Sequence, residues 1–142
     1  MLYFFSYLTP IGKTILENLI KAKVDVRENV GLCRNKDMFG YADLPNKFII
    51  CTSNIKNGGY DLKTYVNETV YHEAVHAAQN CKRTPTLGLP TKDMPLSSMK
   101  LNEINQSAQM VHNYGIVARE HEAYYLEDKP EQVLYYLKKF CF

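Results

Sequence analysis

The chain has 142 residues, enough for one domain with a real core and too few for two. An apolar fraction of 46% with 23% charged residues is ordinary for a globular protein in water, and a net charge of +2 carried by scattered lysines gives no basis for nucleic-acid binding. The opening run Met1 to Leu8 is apolar, but it lacks a basic leader and a small-residue cleavage site and is too short to cross a bilayer. It is expected to fold with the rest, in a cytoplasmic protein that does not engage a membrane. Cys33, Cys51, Cys81 and Cys141 form no C-x-x-C, so a cysteine zinc site is not expected. Two disulfides are arithmetically possible, but without a secretion signal four reduced thiols are expected.

Pro10 to Lys23 reads as the first helix, with Ile11, Ile15 and Leu19 on one stripe and Pro10 suited to its first turn. From Val24 the period shortens. Val24 to Val26, continuing towards Cys33, then Met38 to Ala42, and most clearly Lys47 to Thr52 are strand candidates, separated by turn-forming Asn35 to Asp37 and Leu44 to Asn46. The expectation is an α+β fold. An N-terminal helix precedes a small, mostly antiparallel sheet of about three strands, and residues 1–142 make a single domain.

Asn57 to Gly59 breaks the chain, and Asp61 is a reasonable N-cap for a long helix from Leu62 to about Cys81. Within it lies His72-Glu73-Ala74-Val75-His76, the pattern His-Glu-x-x-His. Four residues make just over one helical turn, so His72 and His76 stand one above the other and can hold two corners of a zinc tetrahedron. Glu73, rotated by about 100°, is placed to take a proton from water activated by the metal. The inward stripe of this helix carries Glu73 and His76, and buried ionisable groups are costly unless paired or metal-bound.

Lys82 to Ser98, punctuated by Pro85, Gly88, Pro90 and Pro95, reads as a rim or lid over a cleft or as an ordered connector. Helical periodicity returns at Met99 and is expected to persist to Glu127, with a last helix starting near Pro130. A catalytic zinc needs a third protein ligand. Glu122 is preferred because it shares a row with Gly115 and Ala118, small enough to approach Ala77 and Ala78; Glu120 and His121 are the alternatives.

A His-Glu-x-x-His helix followed some forty to fifty residues later by Glu120-His-Glu122-Ala123 resembles the gluzincin group of zincin metallopeptidases, in particular small single-domain zincins of phage and bacterial kind. The resemblance covers the two helices and, beyond them, only the order of elements. It implies a minimal zincin-like domain with Zn2+ held by His72, His76 and Glu122, and Glu73 as general base. The implied function is a hydrolase, a zinc peptidase acting on a polypeptide bound in extended form along an edge strand, here Lys47 to Thr52. Tyr125, one turn beyond Glu122, is the candidate for stabilising the oxyanion, ahead of His112 and Tyr114. Tyr124 and Tyr125 stand where many relatives carry an Asp or Asn that orients a histidine. The alternative is a zincin-like module that binds metal without turning over, serving binding or regulation.

Overall fold

A computed structural model describes residues 2–142, so of the opening run only Met1 lies outside the described residues. That run forms a 3-10 turn, Tyr3–Tyr7, which buries Phe4. Helix α1 (Pro10–Lys21) begins as its sequence indicates, with Thr9 Oγ1 accepting from the Gly12 N–H and Pro10 in the first turn.

Strands β1 (Asp25–Glu28), β2 (Gly40–Asp43) and β3 (Lys47–Ile50) form one sheet in the order β1-β3-β2. β3 pairs in parallel with β1 and antiparallel with β2, so the sheet is mixed rather than mostly antiparallel. β1 stops at Glu28, and Gly31–Arg34 is a 3-10 turn instead of the expected strand continuation. The apolar run of β3 has the composition of a central strand because both its faces are covered. Phe48 and Ile50 enter the main core, while Ile49 and Cys51 pack with Cys33 on the other side.

Lys47 to Ile50 is therefore not the edge at which a peptide could add, because partners occupy both its sides. The edge nearest the histidine helix is β2. The Phe39 carbonyl accepts from the Cys51 N–H at 2.8 Å, so alternation of the ladder turns the N–H and C=O of Gly40 and Ala42 away from β3.

A short helix α2 (Thr52–Asn57), not foreseen from the sequence, leads to α3 (Leu62–Lys82). Asp61 caps α3 as expected, accepting from the Thr64 N–H at 3.0 Å. α3 is the central element: the sheet, α1, α5 (Ile116–Leu126) and α6 (Pro130–Phe140) all pack on it. From Val66 to Gln79 only Glu68 and His72 are not fully buried, so burial surrounds the helix instead of following one stripe.

The expected helix from Met99 to Glu127 is two helices. α4 (Ser98–Met110) ends in a turn where His112 has φ 51°, and α5 starts at Ile116. Gly115 and Ala118 are exposed, so the small-residue row does not meet Ala77 and Ala78. α6 takes that place, with Cys141 Sγ 3.7 Å from the Ala77 carbonyl.

The four cysteines are paired rather than reduced. Cys33–Cys51 joins the loop after β1 to the end of β3, and Cys81–Cys141 joins α3 to the end of α6, with Cα separations of 5.4 and 5.3 Å. No helix among the described residues is long and apolar enough to cross a membrane.

Candidate metal centre

His72 and His76 do share one face of α3, and both point Nε2 towards α5. The carboxylate that meets them belongs to Glu120. Its Oε2 lies 3.1 Å from His72 Nε2 and its Oε1 lies 3.0 Å from His76 Nε2. One ligand atom from each of these three residues falls within 4.8 Å of the others. Burial opposes ionisation of Glu120, but hydrogen bonds to His72 and His76 outweigh it and hold the carboxyl well below its ordinary range. Burial likewise works against a charged His72, yet Glu120, Glu127 and the charge of Glu73 raise its pKa well above the ordinary value. A carboxylate facing two imidazole nitrogens calls for positive charge among them, supplied by protons or by a cation.

Glu122 is not at this cluster. It is fully buried, and its carboxylate accepts from Gln79 Nε2 at 2.8 Å, the Leu87 N–H at 2.6 Å and the Leu89 N–H at 3.3 Å. The reason is rotational. Glu122, Ala123 and Leu126 form the core side of α5, whereas Glu120, Tyr124 and Glu127 lie along the side facing the histidines. A carboxylate sealed in the core cannot leave an open coordination position; the Glu120 side chain is 24% exposed and can.

Glu122 nevertheless acts on the site through Gln79. With its Nε2 donating to Glu122 and to the Arg119 carbonyl, Gln79 presents Oε1 to His76 Nδ1 at 2.7 Å. That contact suits a ring proton on Nδ1, which would leave Nε2 available to a cation. Behind His72, Glu127 Oε2 lies 3.8 Å from Nδ1, and Lys100 Nζ of α4 lies 3.3 Å from Glu127 Oε1 as an ion pair without hydrogen-bond geometry. Gln79 and Glu127 thus stand where an Asp or Asn was missing from the sequence pattern. Gln79 lies three residues after His76 and Glu127 two turns after Glu120, spacings at which helical neighbours meet.

Glu73 is buried beside both histidines. Burial raises its pKa, and the His76 and His72 charges only partly offset that. Directly across from it is Gly40 of β2. A Cβ there would sit 2.8 Å from Glu73 Cγ and 2.8 Å from Thr69 Cγ2, so only glycine lets the strand edge approach the helix this closely.

Tyr125 is half-buried against the main core, with Lys129 Nζ 4.0 Å from its ring centroid. The tyrosine at the site is Tyr124, packed edge-on to His72 with ring centroids 4.8 Å apart. Burial, followed by the neighbouring Glu103 carboxylate, raises its phenol pKa. His121 Nε2 contacts the Met94 carbonyl at 2.7 Å. Together with Glu122 it pins the segment between α3 and α4, which is an ordered connector. Tyr114 and His112 are exposed in the turn between α4 and α5.

A family model described as a domain of unknown function, DUF8637, matches residues 4–142. The chain belongs to the DUF8637 family. No curated protein and no solved structure matches it. All the residues of the DUF8637 centre, from Gly40 to Glu127, fall inside the matched span.

Proposed function

We propose that the chain is a zinc-dependent peptidase of gluzincin type, with His72, His76 and Glu120 as ligands and Glu73 as general base. The observation that carries this is the convergence of two Nε2 atoms and one partly exposed carboxylate within 4.8 Å, with Glu73 on the intervening turn of the same helix. Two imidazole nitrogens and one oxygen of a partly exposed carboxylate are a donor set that fits a catalytic zinc. When bound there, zinc supplies Lewis acidity to the attacking water and to the substrate carbonyl.

The chain's own groups do the rest. Glu73, with a pKa raised by burial, accepts the proton of the attacking water and passes it to the departing amine. Gln79 and Glu127 hold the two imidazoles in orientation. The outward N–H and C=O of Gly40, beside Glu73, offer ladder hydrogen bonds to an extended polypeptide, so β2 replaces Lys47 to Thr52 as the substrate edge. The paired cysteines favour an oxidising compartment over the cytoplasm for this activity.

The test is metal analysis of untagged protein purified without chelator, together with hydrolysis of a denatured protein substrate. The expected result is close to one equivalent of zinc, retained by Glu73→Gln while hydrolysis falls about 10²–10⁴-fold. Zinc bound without turnover in the unaltered protein would instead identify a non-catalytic metal module.

A further inference from the structure

Arg119 precedes the ligand Glu120 on α5 and is half-buried. Its Nη2 donates to Asn80 Oδ1 at 3.0 Å, and Asn80 Nδ2 reaches the Ala42 carbonyl at 3.4 Å. Ala42 O is one of the groups that β2 turns outward, so this tether holds the guanidinium at one end of the free edge. Glu73 lies at the other end, under Gly40. Two strand residues span about 6.8 Å, the length of two residues of an extended peptide.

Arg119 is in no ion pair among the described residues, although Glu73, Glu120 and Glu122 are all close in sequence or space. Glu120 is committed to the histidines and Glu122 to Gln79 and two backbone N–H groups. The planar guanidinium fork thus keeps donors for which the fold supplies no anion. Such a fork matches a carboxylate in two parallel hydrogen bonds.

We propose that Arg119 is a specificity residue that binds a carboxylate of the polypeptide substrate about two residues from the bond positioned over Glu73. This rests on the reading that the β2 edge takes an extended polypeptide. The carboxylate is either an acidic side chain or a free C-terminus. A peptide antiparallel to β2 brings a residue on the amino side of the bond to Ala42, which favours a side chain. A parallel peptide brings the carboxyl side there, which favours the terminus.

The experiment measures binding to the full chain, zinc-loaded and carrying Glu73→Gln so that nothing is cleaved. The probes are N-acetylated alanine hexapeptides with one glutamate or glutamine moved along the sequence, each as free acid and as amide, followed by titration calorimetry. With Arg119 present, a carboxylate-bearing probe should bind about ten- to a hundredfold tighter than its neutral isostere. Arg119→Gln should abolish that preference while neutral probes change less than about twofold, and Arg119→Lys should keep part of it. Loss on amidation assigns the terminus; loss on replacing glutamate by glutamine assigns the side chain. Equal weakening of acidic and neutral probes by Arg119→Gln would overturn the proposal, leaving Arg119 a strut for Asn80. So would failure of every probe to bind. If the preference holds but the unaltered protein cleaves none of these peptides, peptidase function fails and the carboxylate site stands.

Discussion

Exchanging Glu120 or Glu122 for glutamine separates the two carboxylates that a sequence reading confuses. Glu120→Gln keeps the side chain's size and removes the charge lying 3.0 and 3.1 Å from the two histidine nitrogens. Zinc held by four ligands is bound with about 10–16 kcal/mol, so one ligand accounts for about 3 kcal/mol, or about a hundredfold in affinity. Glu122→Gln leaves the donor set whole. It forces an amide nitrogen against one of three donors, from Gln79, Leu87 and Leu89, in a site with no exposure to water. That should cost about 2–3 kcal/mol of stability and, acting only through Gln79, less than about tenfold in zinc affinity. Competition against a chromogenic chelator at neutral pH reads the affinities, and urea unfolding of the metal-free proteins reads the stabilities. A hundredfold loss of zinc affinity in Glu122→Gln, with Glu120→Gln near the unaltered protein, would refute the assignment.

Gln79→Leu removes the acceptor at His76 Nδ1 and should lower zinc affinity about 10- to 100-fold by the same competition assay. Replacing Cys81 and Cys141 together by serine opens a link with a sequence separation of 60, and the loop-closure model gives a loss of about 4 kcal/mol, read as a lower urea midpoint under non-reducing conditions. Burial and the adjacent Glu127 charge push the Glu68 carboxyl up from the ordinary 4.5 to about 7. The folded chain therefore holds that proton more tightly than the unfolded one, and stability should fall as pH rises from the lower value through the higher. Because Glu68 is only half-buried, solvent screening reduces the effect to about 1 kcal/mol. Urea unfolding as a function of pH should show a flatter profile for Glu68→Gln across that window.

Local features were legible in the residues alone. Asp61 as a cap, Pro10 in a first turn, the β-branched run at Lys47 and the spacing of His72 and His76 each depend on neighbours within a few positions, and each appears in the structure. The position of Glu73 could also be read there, since it is fixed by its place between the histidines on one helical turn. The α+β class followed from the order of these periodicities.

Partner choice across the fold was not legible. Periodicity gives the rows of α5 but not its rotation, and only packing on α3 decided that Glu120 faces the histidines while Glu122 enters the core. The break at residues 111–115 detached Gly115 from the row that had pointed to Glu122. A strand's apolar run marks it as buried, which made β3 the centre of the sheet; which neighbour became the edge beside Glu73 depended on pairing with residues far along the chain. The cysteine pairs join positions 18 and 60 residues apart, a proximity no local pattern encodes. Short-range geometry wrote the motif into the sequence, and long-range packing chose the groups that complete it.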